Sequence, residues 1–218
     1  MSGVSAVLLA AGSGSRFGGG KLLAPFAGRP LIEASLSELR RAPVDEIIVV
    51  VGKDAEELRT VCKPYGVRVV ENPHWAEGIS TSVRRGLSAC GPEARAAVVV
   101  LADQPLVGAD AVERLVGALE DGAGVAVATY GGRPRNPVLF SRKVWPLLER
   151  QLSGDEGARV ALKRHPELVT EVPCDDIADP ADVDTVEDLR RLEELSAPLR
   201  GRAIGKGGTD EAGERVHG

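Results

Sequence analysis

"VSAVLLAAGSGSRFGGGKLL" (Val4–Leu23) joins a run that is apolar except for Ser5 to a loop holding five glycines and two cations. A run that does not alternate fits a strand covered on both faces, the interior strand of a parallel sheet. In an open parallel sheet, the loop after the first strand lies at the carboxyl edge, where ligands bind. Gly12, Gly14, Gly18, Gly19 and Gly20 allow backbone N–H groups to turn inward and approach phosphate oxygens. Arg16 and Lys21 add the positive charge that a triphosphate needs.

Short β-branched runs recur downstream at helix-sized intervals: "EIIVVV" from Glu46, "VRVV" from Val67, "AVVVLA" from Ala97 and "VAVATY" from Val125. Helical patterns lie between them at Asp54–Cys62, Ile79–Ala89, Asp110–Glu120 and Ser141–Leu152. An earlier one places Pro30 at a first helical position, with Leu31, Ile32, Leu36 and Leu39 on one stripe. The alternation predicts right-handed βαβ units and an α/β fold, a Rossmann-like doubly wound, mostly parallel sheet. Further on, "GDEGARVALKRH" reads as a loop entering a short helix, and "TVEDLRRLEEL" from Thr185 as a last amphipathic helix. One domain is expected over residues 1–196. Residues 197–218 carry few bulky apolar side chains and much glycine and charge, and are expected to form a disordered tail.

Composition narrows the function. The 218 residues are 43% apolar and 27% charged, the profile of a soluble globular domain. A formal charge of −5 argues against a nucleic-acid or anionic-membrane surface, and 3% aromatics offer little for stacking on bases. A small polyanion stays compatible, because a local cationic loop overrides an acidic average. Cys62, Cys90 and Cys174 form no C-x-x-C pair and read as reduced structural thiols. His74, His165 and His217 lack zinc spacing. No apolar run approaches a membrane span, and the cytoplasm is the expected compartment.

Two common phosphate motifs fail on the loop. A P-loop needs glycine six residues before the lysine and Ser or Thr after it, where this chain has Ser15 and Leu22. A dinucleotide G-x-G-x-x-G needs glycine where Phe17 stands, and the second strand leads to Lys53 instead of an acidic ribose ligand. "LAAGSGSRFGGGK" instead resembles the signature of sugar-nucleotide and cofactor nucleotidyltransferases, L-A-A/G-G-x-G-x-R-M/F-G before a lysine. The resemblance implies that Leu9, Ala10, Ala11 and Gly12 border the base and ribose. It also implies that Gly14, Arg16 and Lys21 meet the phosphates.

Later segments narrow the resemblance. "NPHWAEGISTSVRRGL" (Asn72–Leu87) places Gly78 and three hydroxyls at the start of a helix, where they could cap it or face a base. Its N-x-x-W-x-x-G-x-x-x-S pattern resembles a nucleotide-contacting segment of the molybdenum cofactor cytidylyltransferases, implying roles for Asn72, Gly78, Ser80 and Ser82. "VVVLADQP" puts Asp103 just past a buried strand, where a carboxylate can hold Mg²⁺ against a triphosphate. The same family carries D-Q-P there, with the aspartate as metal ligand. "YGGRPRNPVLF" (Tyr130–Phe140) and "LSGDEGARVAL" (Leu152–Leu162) resemble its acceptor half, implying substrate contacts from Arg135, Asn136, Asp155 and Arg159. Pro134 and Arg135 replace part of the usual pattern, and Asn136 stands where histidine is common. "DVDTVEDL" resembles D-I-D-T-P-E-D-L and implies Asp184 as second metal ligand, although Asp175, Asp176, Asp179 and Asp182 crowd the same stretch.

The resemblance spans about residues 4–195 and implies a fold of the nucleotide-diphospho-sugar transferase type. It further implies Mg²⁺-dependent transfer of CMP from CTP to the phosphate of molybdopterin-type molybdenum cofactor, catalysed by Arg16, Lys21 and Asp103. Three rival readings stay open. One is a same-fold transferase using GTP or another phosphorylated acceptor, such as a sugar phosphate. Another is an NAD(P)H-dependent reductase of the nicotine blue oxidoreductase type. The last is a non-catalytic chaperone that carries molybdenum cofactor to a molybdoenzyme.

Overall fold

The computed structural model describes residues 3–152, 154 and 159–204. Within them β1 (Val4–Ala10), β4 (Glu46–Val51), β5 (Arg68–Glu71), β6 (Ala96–Leu101), β7 (Val125–Tyr130), β8 (Arg133–Ser141) and β9 (Val169–Pro173) form one sheet. Its order is β5-β4-β1-β6-β8-β7-β9, and every pairing is parallel except the two made by β8. A two-residue antiparallel ladder, β2 (Pro25–Phe26) with β3 (Arg29–Pro30), stands apart from it. The fold is therefore the doubly wound, mostly parallel one that the sequence predicts.

Side-chain alternation along each strand feeds two separate cores. Ala6, Leu8 and Ala10 of β1, Val49 and Val51 of β4, and Ala96, Val98 and Val100 of β6 face one side. They pack under α1 (Ile32–Leu39), α2 (Ala55–Cys62), α4 (Ala109–Glu120) and the start of α7 (Val186–Ile204). Val7, Leu9, Ile48, Val50, Ala97 and Val99 face the other side, under α3 (Ile79–Ala89) and α5 (Trp145–Gln151). Both faces are buried, which is why the strands read as unbroken apolar runs.

The chain runs from β1 outward through β4 to β5, then returns across β1 to β6 on its other side. The connections after β1 and β6 consequently diverge, leaving a crevice at their carboxyl ends. Gly86 lets α3 close down on this part of the sheet. A Cβ there would meet Val7 Cγ1 at 2.2 Å.

Several boundaries differ from expectation. Pro30 belongs to the β2–β3 ladder, and α1 starts at Ile32, because Leu31 N–H donates to the Ala24 carbonyl and closes the small hairpin first. Ser141 ends β8, so the helix expected from it begins only at Trp145 after a 3-10 turn. β8 and β9 were not expected as strands. The first residues of β8 are polar and proline-bearing, and its register with β7 shifts between Val127 and Ala128, leaving Asn136 and Pro137 between paired positions. Helix α7 runs to Ile204, eight residues into the segment expected to be disordered. Elongating a helix already formed adds a backbone hydrogen bond for each residue fixed, so it proceeds without a large apolar face. The rest of that segment, 205–218, lies outside the described residues. Among the described residues, no helix is long and apolar enough to cross a membrane.

Gly86→Ala should destabilise the fold without touching the crevice. Val7 is fully buried, and its β-branched side chain has little room to move. Overpacking of this kind costs about 1–3 kcal/mol. Thermal unfolding should show Tm falling by roughly 2–12 °C; an unchanged Tm would mean that α3 is free to lift.

Candidate active site

The loop after β1 folds on itself through left-handed backbone. Gly14, Gly18, Gly19 and Gly20 have φ of 58°, 94°, 98° and 62°, a region that side-chain-bearing residues rarely occupy. Phe17 N–H and Gly19 N–H both donate to the Gly14 carbonyl, and Leu23 N–H to the Gly20 carbonyl. These bonds define two 3-10 turns, Ser15–Phe17 and Lys21–Leu23. The second turn aims Lys21 into the crevice.

There Lys21 meets carboxylates from two distant parts of the chain. Its Nζ donates to Asp103 Oδ2 at 2.6 Å and lies 3.7 Å from Asp184 Oδ1. Arg16 Nη1 donates to the other oxygen of Asp184 at 2.7 Å. Lys21 is the most enclosed of the four, with 12% of its side chain exposed against 77% for Arg16. Asp103 comes just after β6, and its carbonyl accepts Val183 N–H at 2.9 Å, which lays the Asp184 segment alongside it. Leu9, Gly12, Gly14, Lys21, Leu22, Asp54 and Asp103 line the resulting cleft.

A third carboxylate lies just behind. Asp182 accepts a hydrogen bond from Gln104 Nε2 at 2.9 Å. Burial, then the nearby charge of Asp103, pushes its pKa up, and Arg135 counteracts the rise. Arg135 is thus within electrostatic reach of this end of the site. It sits opposite Ala128 on the first half of β8, which the antiparallel direction brings to the carboxyl edge of β6 and β7.

The residues fit a divalent metal. Asp103 and Asp184 present hard oxygen donors, and Lys21 already places a cationic group between them. Among the described residues no cluster of three or more His, Cys, Asp or Glu could hold a metal. Mg²⁺ does not require one, since one or two carboxylates plus phosphate oxygens and water complete its shell.

Other predicted residues fall elsewhere. Leu9 and Gly12 line the cleft, whereas Ala10 and Ala11 are 3% and 6% exposed and lie beneath it. Asn72, Ser80 and Ser82 are buried and engaged with protein. Asn72 Nδ2 donates to Thr81 Oγ1 at 2.8 Å and Ser82 Oγ at 2.9 Å, and its Oδ1 accepts from His74 N–H. Ser80 Oγ donates to the Gly154 carbonyl at 2.7 Å, and Arg84 donates to the carbonyl of Leu152. This network shapes the turn around Gly78 and ties α3 to the segment after α5. Asn136 is half-buried on β8 beside the register shift. Arg159 begins α6 (Arg159–Arg164), and Asp155 lies outside the described residues.

Two residues beside the cleft escape a motif search. Asp54 lines it, and the Lys53 ammonium reaches the glycine loop, 3.9 Å from where a Cβ on Gly19 would stand. Their signal was position alone, the first turn after a parallel strand. The thiols take no part. Burial raises both Cys62 and Cys90 to about 11, keeping them protonated and unreactive.

Residues 6–169 match the MobA-like NTP transferase domain. The chain is 34% identical to the nicotine blue oxidoreductase of Paenarthrobacter nicotinovorans, over 87% of this chain and 96% of that one. It resembles the solved homolog of Mycobacterium tuberculosis Rv0371c from Mycobacterium sp. strain JC1, with a TM-score of 0.79, 32% identity, and 91% and 98% of the two chains covered. Rv0371c of M. tuberculosis H37Rv, solved in complex with manganese, aligns with a TM-score of 0.73 and 30% identity, over 88% and 97% of the chains.

Lys21→Ala should weaken binding of a nucleoside triphosphate, tested with CTP, much more than binding of the nucleoside, cytidine, because the ammonium's ligand partners would be the phosphates. Loss of one charge-assisted contact predicts a roughly 10–100-fold rise in the CTP Kd by calorimetry. An equal loss for both ligands would show instead that the loop had collapsed.

Proposed function

The chain belongs to the MobA-like NTP transferase family, and on that footing we propose that it transfers CMP from CTP to the phosphate of molybdopterin-type molybdenum cofactor. The observation that carries the transferase reading is the meeting of Lys21, Arg16, Asp103 and Asp184 at the mouth of the glycine loop. Those groups come from three separated segments, and together they suit a triphosphate with a divalent cation.

In this reading the acceptor's phosphate oxygen attacks the α-phosphorus of CTP in line, the bond to the β-phosphate breaks, and pyrophosphate leaves. No side chain forms a covalent intermediate. Catalysis consists of holding the two reactants together and neutralising charge. Lys21 and Arg16 bind and orient the triphosphate, and the glycine loop lets backbone come close to it. Mg²⁺, held by Asp103 and Asp184, would supply further neutralisation of phosphate charge. Arg135 and Asn136 on β8 would contact the acceptor, and the family resemblance adds Asp155 and Arg159 to that role. Before substrate arrives, Lys21 and Asp103 satisfy one another. A triphosphate gives Lys21 a new partner and a cation gives Asp103 one, so nucleotide and metal should each strengthen the other's binding.

Cytidine is favoured because Ala11 carries a methyl where guanylyl-transferring relatives resemble one another in having glycine, and a methyl there would narrow the base site. The molybdopterin acceptor rests on the N-x-x-W-x-x-G, D-Q-P and G-D-x-G-A-R segments, whose order resembles that in cytidylyltransferases of that cofactor. The oxidoreductase identity of one relative makes hydride transfer the rival reading. It leaves the pairing of Lys21 with two carboxylates without a purpose.

Asp103→Asn should preserve the fold and lower kcat by roughly a hundredfold or more, read as pyrophosphate release with CTP, Mg²⁺ and molybdopterin cofactor. Near-wild-type turnover in the folded variant would remove Asp103 from the mechanism.

CTP should bind roughly tenfold or more tightly than GTP in competition with Mg²⁺ present. Tighter GTP would sink the cytidylyl assignment, and tight NADPH with no NTP binding would move the protein to the reductases.

A further inference from the structure

Asp184 sits on a strap, residues 179–185, that has no regular secondary structure of its own. Two sets of hydrogen bonds fix it. On one side Thr185 and Asp188 bond reciprocally at the start of α7: Thr185 N–H donates to Asp188 Oδ2 at 3.0 Å and Asp188 N–H to Thr185 Oγ1 at 3.1 Å. This is a helix-capping pair, and Asp188 also accepts Asp184 N–H at 3.3 Å. On the other side the strap is stitched to the loop after β6. Asp179 N–H donates to the Leu106 carbonyl at 3.3 Å and Val183 N–H to the Asp103 carbonyl at 2.9 Å.

Between those two backbone bonds lies one side chain. Gln104 is 2% exposed, and its Nε2 donates to the Pro180 carbonyl at 3.0 Å and to Asp182 Oδ1 at 2.9 Å. Its Oε1 is buried and has no partner among the described residues. A leucine of similar size would avoid that cost. What the amide adds is two donors aimed at the strap.

We propose that Gln104 is a positioning residue that, through Asp182 and Pro180, holds the strap so that Asp184 faces Asp103 across Lys21. In this proposal Gln104 and Asp182 act through the strap and not by contact with nucleotide or acceptor. The proposal rests on the reading in which Asp103 and Asp184 together hold a divalent cation. Asp182 then serves as a hydrogen-bond acceptor for Gln104, and its charge is dispensable.

The test is Mn²⁺ binding to the full chain, followed by electron paramagnetic resonance with no acceptor present. Gln104→Leu should weaken Mn²⁺ roughly tenfold or more, the usual effect of removing a group that orients a metal ligand. Metal-free CTP binding should stay unchanged, and in turnover the metal concentration giving half the maximal rate should rise. Asp182→Asn keeps an oxygen for Gln104 and should bind Mn²⁺ like the wild type, whereas Asp182→Ala should show the same loss as Gln104→Leu. The Asp182 pair decides the matter even if Gln104→Leu fails to fold. Equal loss in Asp182→Asn and Asp182→Ala would make Asp182 itself a ligand and overturn the proposal. Wild-type Mn²⁺ affinity in Gln104→Leu or Asp182→Ala would overturn it while leaving the nucleotidyl-transfer reading standing. A wild-type protein that binds no Mn²⁺ even with CTP present would overturn both.

Discussion

Covering the sheet on both faces is the constraint on which the site depends. A strand buried on two sides has no face left for polar chemistry, so reactive groups must leave at its ends. The order β4-β1-β6 then decides which end matters, because the connections after β1 and β6 part in opposite directions and open a crevice. Lys21 enters it from one connection and Asp103 from the other. Gly86 helps keep β1 covered, since a Cβ there would meet Val7 of that strand.

Electrostatics decides what that crevice can hold. Asp103, Asp182 and Asp184 converge from two segments, and such convergence is unfavourable unless positive charge accompanies it. Lys21 and Arg16 provide that charge at hydrogen-bonding distance. Burial, and then the charge of Asp103, pushes the pKa of Asp182 up. A pocket in which one enclosed ammonium serves two carboxylates prefers ligands that bring both signs together. A nucleoside triphosphate with its cation is such a ligand, and a neutral metabolite is not.

Legibility in the sequence obeys the same physics. β1, β4 and β7 coincide with their apolar runs, since an interior strand has no reason to carry polar residues. β9 lies at the sheet edge with mixed exposure, and β8 begins in solvent, so neither shows such a run. Among site residues, Lys21 and Asp103 were legible because each stands in the loop that leaves a buried strand. Their contact was not, for 82 positions separate them and only topology brings them together. Asn72, Ser80 and Ser82 mark the opposite limit. Amides and hydroxyls at a helix start suit a ligand or an internal network equally well, and the structure uses them for the network. The role of Gln104 was invisible for a related reason, since an amide beside a motif aspartate gives no hint of its partner on a strap 78 positions away.

The reversal at β8 has an evolutionary reading. In the proposed reading the nucleotide meets mainly groups from the chain up to β6, whereas Arg135 and the segments after α5 belong to the later half, and the sheet joins the two parts along the β6–β8 seam. Four residue pairs, Ala96 with Ser141 through Val99 with Val138, make up that seam's register. Sheet pairing between the two parts is confined to that seam, although Val183, Leu189 and Leu192 of the later half still pack in the core that β1 and β4 share. On the proposed function, a change of acceptor would therefore fall mainly on one side of the seam and a change of nucleotide mainly on the other.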